Sequence, residues 1–361
     1  MRKFVTFLAI ILLAFFAYSY FSKNRIATFL DTENEGGPDP IPHPLSIEAL
    51  RQGEYPGSEI VIEQPLDSGV NYQRYIASYK SEGLKIYGLL TIPNKNPSTD
   101  AQGNSEGYPA IIFNHGYISP SVYKTTEKYI AYQDAFARAG YVTFKSDYRG
   151  HGNSEGNATG GYGSNDYTID ILNAVASMKR EGTDLALRQA QGLTSRIINP
   201  EKFGMWGHSM GGHITLESMV VNSDIKAGVI WAGVVGSYEN LFERWRRRST
   251  GPSPTPNPRS QRGRWRQELA EAYGTPDQNP EFWNSLSATS YLNDISGPVQ
   301  LHHGTADNSV PIEFSQNLDK LLKELGQEDE LYIYEGDDHN LSNNLTLALN
   351  RSVEFFDKYL K

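Results

Sequence analysis

Gly207-His208-Ser209-Met210-Gly211-Gly212 fits the pattern G-x-S-x-G and lies where a buried strand turns into a helix. Phe203-Gly204-Met205-Trp206 before it is short and apolar like an interior strand, and His213-Ile214-Thr215-Leu216-Glu217-Ser218-Met219-Val220 after it continues as a helix. A serine on so sharp a turn stands above the sheet, and glycine is needed on both sides because a Cβ would strike the neighbouring strand and helix. Ser209 is therefore the candidate nucleophile. The pattern by itself is equally compatible with an inert Gly/Ser turn, so the rest of the chain must supply a base, an acid and an oxyanion site.

Chain order selects the base. With a serine on a strand–turn–helix, the acid and then the base follow it in sequence. Of His43, His115, His151, His208, His213, His302, His303 and His339, only His339 lies beyond every plausible acid loop. It follows the strand-like stretch 330–334, within Gly336-Asp337-Asp338-His339-Asn340. For the acid, the strand-like stretch 298–303 runs into Gly304-Thr305-Ala306-Asp307-Asn308-Ser309-Val310-Pro311, so Asp307 sits in a Gly/Pro-bounded loop at a strand end. Its role would be to accept the histidine Nδ1–H, fix the tautomer and stabilise the imidazolium. Asp337 and Asp338 are too near His339 in sequence to orient it from below, and read as loop-solvating or turn-forming carboxylates.

The oxyanion donors are expected at the backbone N–H of Met210 and, after the strand-like 109–114, at the N–H of Tyr117. The Tyr117 phenol has three open roles: donating to the oxyanion, stacking on substrate, or walling the pocket. His115 reads as a loop-packing residue. Asp147-Tyr148-Arg149-Gly150-His151-Gly152 reads as a loop bracing the nucleophile turn, with Arg149 as an ion-pair anchor.

Taken as a set, HGY at 115–117, DYRGHGNSEG at 147–156, GHSMGG at 207–212, HHGTADNSVP at 302–311 and GDDHN at 336–340 resemble the catalytic domain of the prolyl oligopeptidase and acylaminoacyl-peptidase (dipeptidyl aminopeptidase-like) family of α/β-hydrolases. The resemblance covers roughly residues 70–361. It implies an α/β-hydrolase fold, a Ser209–Asp307–His339 triad, and a serine peptidase or a related esterase that needs no cofactor. The chain departs from the family at Tyr117, where many members carry a second glycine. It departs again ahead of residue 70, where the sequence is far too short for the family's β-propeller. Without that gate a carboxylesterase using the same residues is a serious rival, and an inactive hydrolase fold kept as a binding module is the reading from a different class.

Strand-like stretches at 59–63, 72–79 and 84–92, with Ser81-Glu82-Gly83 as a hairpin turn, predict an antiparallel start to the sheet. Strands at 109–114, 141–146, 203–206, 227–232, 298–303 and 330–334 then alternate with helices at about 124–139, 166–180, 210–221, 312–325 and 343–360. That alternation predicts a mostly parallel, doubly wound sheet with ligands at the carboxyl ends of its strands. Residues 182–195, polar and aperiodic, are expected to bulge onto the surface. A small cap insertion is expected at about 238–295, with a Pro-rich basic middle at 252–264 that reads as solvated surface, the alternatives being to steer an acidic substrate or touch anionic lipid. Trp245, Trp265, Phe282 and Trp283 are expected to pack the cap to the core, the alternative being an aromatic subsite.

The 361 residues, 39% of them hydrophobic, suffice for one large core, and a net charge of −9 argues against nucleic acid. The absence of cysteine excludes disulfides, a thiol nucleophile and cysteine-based metal sites. The His302-His303 pair is a poor metal site because adjacent strand residues face opposite ways. Arg2 and Lys3 precede an apolar, uncharged run at residues 4–22, near the length that crosses a bilayer core. Residues 1–30 thus predict a signal anchor, favoured over a cleaved signal peptide, with 31–45 as a linker and 46–361 as an extracytoplasmic catalytic domain. Sequence leaves the oligomeric state open.

Overall fold

The computed structural model describes residues 41–94, 106–192, 196–243, 245 and 264–361. The expected signal anchor, most of the linker and the basic middle of the cap insertion lie outside these residues. Among the described residues no helix is long and apolar enough to cross a membrane. A compact unit runs from His43 to Lys361.

Its chain order is α1 (Ile47–Gln52), β1 (Val61–Leu66), β2 (Tyr72–Ser81), β3 (Leu84–Pro93), β4 (Tyr108–Asn114), α2 (Ile130–Arg138), β5 (Val142–Ser146), α3 (Asp166–Lys179), α4 (Glu181–Gln191), β6 (Ile198–His208), α5 (Met210–Val221), β7 (Ile225–Trp231), α6 (Tyr238–Glu243), α7 (Arg264–Tyr273), α8 (Pro280–Leu286), β8 (Val299–Gly304), α9 (Glu313–Glu324), β9 (Asp329–Tyr334) and α10 (Leu345–Leu360). The nine strands form one sheet in the order β1-β2-β3-β5-β4-β6-β7-β8-β9. Pairing is antiparallel from β1 through β3 to β5. From β5 across β4 to β9 it is parallel. The β2–β3 hairpin turns at Glu82 and Gly83, both at positive φ, as a tight two-residue connection requires.

Every residue of β4 and of β8 is buried, the pattern of parallel strands covered on both faces. On one face Phe113, Trp206 and Trp231 pack under Phe136 of α2 and Phe355 and Phe356 of α10. On the other, Ile112, Met205 and Leu301 pack under Ile171 and Val175 of α3, Ile214 and Met219 of α5, and Leu318 of α9. Each such fully buried side chain contributes roughly 1.5–3 kcal/mol. The chain adds β5 to one side of β4 and β6 to the other, so the carboxyl ends of β4 and β6 open a crevice at the point where strand order reverses.

Two local expectations are corrected. Residues 182–195 were expected as an aperiodic bulge, yet most of the segment is helix α4, with Thr183, Asp184 and Leu187 buried. Thr183 and Leu187 stand one turn apart; the polar remainder hides that narrow stripe. The helix expected over 124–139 begins only at Ile130. Buried Lys145 donates through Nζ to the carbonyls of Thr125 and Lys128, drawing that stretch into turns, and Tyr129 enters the helix at φ 64°.

In the insertion, Trp265 and Trp283 are buried in the core cluster that also holds α5. Phe282 stacks on Tyr273 at 4.1 Å, and His43 meets its edge. Trp245 differs: its Nε1–H donates to the carbonyl of Ser309, close to Asp307.

Candidate active site

Ser209 occupies the single position between the end of β6 and the start of α5, at φ 56° and ψ −118°. A non-glycine residue there carries about 1–3 kcal/mol of strain, which the surroundings must hold. Its N–H donates to the Trp231 carbonyl, and its own carbonyl accepts from Gly212 and Val234, all at 3.0 Å. The glycines follow from crowding. A Cβ on Gly207 would lie 2.3 Å from the Gly211 carbonyl oxygen, and one on Gly211 would lie 1.8 Å from the Asn114 carbonyl oxygen. Eleven of the twelve α5 residues are buried, from Met210 to Val220. The Met210 amide, at the first position of this helix, has no carbonyl one turn earlier within the helix to accept from it and lies at the positive end of the helix dipole.

The loop after β4 approaches from the neighbouring strand. Asn114 donates through Nδ2 to Thr215 Oγ1 at 2.8 Å, tying the strand end to the first turns of α5. A Cβ on Gly116 would come within 3.1 Å of the Ser209 Cβ, so the loop backbone runs alongside the serine. The Gly116 N–H is engaged, donating to the Tyr129 hydroxyl at 2.9 Å. Next along the loop is Tyr117, with its residue surface 38% exposed. His115 is fully buried, stacks on Tyr123 at 4.9 Å and donates from Nδ1 to the Gly116 carbonyl. Burial, followed by the neighbouring His151 and Lys145, holds it well below the usual histidine range. It packs the loop, as its sequence context suggested.

Asp307 and His339 meet across the loops that follow β8 and β9. Asp307 Oδ2 lies 2.7 Å from His339 Nδ1. A proton on Nδ1 leaves Nε2 of His339 as the basic nitrogen. The other oxygen, Oδ1, accepts from the amides of Ser309 at 2.7 Å and Val310 at 3.0 Å. Burial would raise the Asp307 pKa, but hydrogen bonds from His303 and His339 outweigh it and hold the carboxyl well below the usual range.

Asp337 and Asp338, the competing carboxylates, are committed elsewhere. Asp337 is fully buried and accepts from the amides of Asp338, Asn343 and Asn344 and from Asn344 Nδ2. Asp338 accepts from the amides of Asn340 and Ser342 and from the Ser342 hydroxyl. Both are turn formers that shape the His339 loop; burial of Asp337 removes the loop-solvating alternative for that residue.

Asp307 has a further partner that sequence reading passed over. His303 Nε2 lies 3.1 Å from the same Oδ2 that meets His339. Its other nitrogen lies 2.8 Å from Ser315 Oγ. The available signal was strand alternation: His302 faces the other way, against Tyr334 and Gln300, so His303 must face the α9 side. The two histidines share no ligand sphere, and among the described residues no group of three His, Asp or Glu is placed to hold a metal.

The 147–152 loop braces a different neighbour from the one expected. Arg149 grips Asp170 through Nε and Nη2 and reaches Glu82 at 2.8 Å, while the Tyr148 hydroxyl donates to the His115 carbonyl at 3.1 Å. Because β5 lies on the side of β4 away from β6, its loop supports the loop after β4 rather than the turn at Ser209.

This sheet and its strand–turn–helix serine have the α/β-hydrolase fold, the fold of serine peptidases and esterases. Residues 108–261 match the family described as "Serine aminopeptidase, S33". The chain is 26% identical over 266 residues to the uncharacterized peptidase YtmA of Bacillus subtilis (strain 168), covering 72% of this chain and 83% of that protein. It is similar in fold to the acylaminoacyl peptidase of Pyrococcus horikoshii, at 23% identity and a TM-score of 0.56, covering 81% of this chain but 42% of that one. It is also similar to Est1E from Butyrivibrio proteoclasticus, at 19% identity and a TM-score of 0.54, covering 78% of this chain and 98% of that one.

Proposed function

We propose that the protein is a serine peptidase that cleaves peptide or acyl-amide bonds through an acyl-enzyme on Ser209, with His339 as general base and acid, Asp307 as its orienting carboxylate, and the Met210 and Tyr117 amides as oxyanion donors. The observation that carries this reading is the 2.7 Å contact between Asp307 and His339 Nδ1. It leaves Nε2 as base in a protein whose candidate nucleophile is held at a strained turn. Ser209 Oγ gives its proton to Nε2 as it attacks the acyl carbon; the imidazolium then passes that proton to the departing amine. Water, deprotonated by the same nitrogen, resolves the acyl-enzyme. The family match and the curated relative are both described as peptidases, which favours an amide substrate.

An esterase is the second reading, and one observation favours it. Est1E is covered over 98% of its length, whereas the acylaminoacyl peptidase is more than half unmatched. Both reactions pass through a tetrahedral oxyanion and differ in the leaving group that must be protonated. Rates on matched aminoacyl p-nitroanilides and p-nitrophenyl esters separate them. Anilide turnover abolished by Ser209→Ala supports the peptidase; ester turnover alone supports the esterase. From the apolar run at residues 4–22 we further propose that the enzyme is membrane-anchored with its catalytic domain outside the cytoplasm. Alkaline-carbonate extraction of membranes, with protease access to the catalytic domain, tests this.

A further inference from the structure

Three contacts join the two halves of the site through side chains to which the proposed mechanism gives no role. The Gly116 amide donates to the Tyr129 hydroxyl at 2.9 Å. That hydroxyl lies 2.7 Å from His208 Nδ1. His208 Nε2 lies 2.9 Å from the backbone carbonyl of His339. Proton positions along this line are determined by its two ends. The His339 carbonyl only accepts, so Nε2 of His208 carries the hydrogen. In the neutral ring Nδ1 then accepts, and the Tyr129 hydroxyl must point its hydrogen there while its oxygen receives the Gly116 amide.

We infer that Tyr129 and His208 form a strut between the oxyanion loop and the His339 loop, setting the distance between the oxyanion donors and the general base. Both are positioning residues, and their role rests on the reading of Ser209, His339 and the Tyr117 amide given above.

Three further observations support the strut. His208 is 3% exposed, and burial, with His339 next in effect, pushes its pKa down to about 3, so it keeps its neutral tautomer while His339 takes up a proton. The two rings are 4.6 Å apart, close enough that a charged His208 would repel an imidazolium at His339. Tyr129 holds a left-handed backbone at φ 64° despite its bulky side chain, and Lys145 anchors the residue just before it through the Lys128 carbonyl. Strain of this kind persists where the surroundings over-determine a position.

The strut also settles which oxyanion-loop amide Tyr129 consumes. Gly116 N–H is turned to Tyr129 and is spent there. Losing the Tyr129 hydroxyl would set the Gly116 amide loose and free His208 to turn.

The test uses the full-length protein as wild type, Tyr129→Phe, His208→Gln and the double variant, with inactivation by a fluorophosphonate resolved into its binding constant and its maximal rate. The strut predicts a maximal rate at least 10-fold lower in each single variant with binding changed less than 2-fold. It also predicts a double variant no slower than the slower single one, because both changes cut the same line. Amide hydrogen exchange gives a second readout independent of chemistry: Tyr129→Phe should raise exchange in 114–118 and also in 336–342. Wild-type inactivation kinetics in Tyr129→Phe, additive losses in the double variant, or exchange rising only around 114–118 would overturn the strut. Failure of wild-type protein to react at all would overturn the assignment of Ser209, while the exchange experiment would still decide the strut.

Discussion

Asp307 Oδ2 lies 2.7 Å from Nδ1 of His339, with the carboxylate side chain 1% exposed and the imidazole 19% exposed. The buried partner holds the ring at Nδ1 while the ring itself keeps part of its surface exposed. Replacing Asp307 by Asn keeps the shape but presents an amide that can donate where the ring must donate, favouring the wrong tautomer. We expect kcat to fall by about 10⁴-fold with little change in KM. Steady-state kinetics on whichever ester or anilide turns over will check this, and a loss below tenfold would move the acid role away from Asp307.

His303 should matter without touching substrate. Its contact with Asp307 Oδ2 and that of Ser315 with its own Nδ1 form a line behind the acid. His303→Leu removes the contact that aims the carboxylate, and a misplacement on the order of 1 Å costs about 10²-fold in rate. KM should stay constant. His303→Gln, which retains a donor, should recover part of the loss; equal losses in Leu and Gln variants would make His303 a packing residue only.

Lys145 gives a prediction about stability. Its ammonium is buried beside Asp147, and burial pushes its pKa from 10.5 down to about 8. Between pH 8 and 10.5 the unfolded chain therefore holds more protons at this site than the folded one, so the site's contribution to stability rises with pH across that window. Below pH 8 both states are charged and the contribution is flat. Urea unfolding of wild type and Lys145→Met at several pH values should show wild type gaining on the variant by about 3 kcal/mol across the window. Parallel curves would contradict the assignment.

The sequence carried most of the sheet because parallel interior strands are largely apolar, and 109–114 stands out against its flanks for that reason; 298–303 carries Gln300, His302 and His303 and was legible from the Gly/Pro-bounded loop that follows it. Ser209, Asp307 and His339 could be named as candidates because each lies at, or in the loop just after, the carboxyl end of a strand and because their order along the chain is constrained. His303, Tyr129 and His208 could not. Their work depends on which of two faces a side chain takes and on partners 12 to 131 residues away, information that no local pattern holds. Helix α4 escaped for a related reason: a three-residue buried stripe in an otherwise polar segment leaves almost no periodic signal.

The central claim is that Ser209 is the nucleophile. Full-length wild type and Ser209→Ala should be treated with a fluorophosphonate, digested, and the modified peptide identified by mass spectrometry, with thermal melting to confirm that both are folded. The account predicts a single adduct on Ser209 in wild type and none in the variant at unchanged melting temperature. An adduct on another residue, or labelling that survives Ser209→Ala, would contradict it.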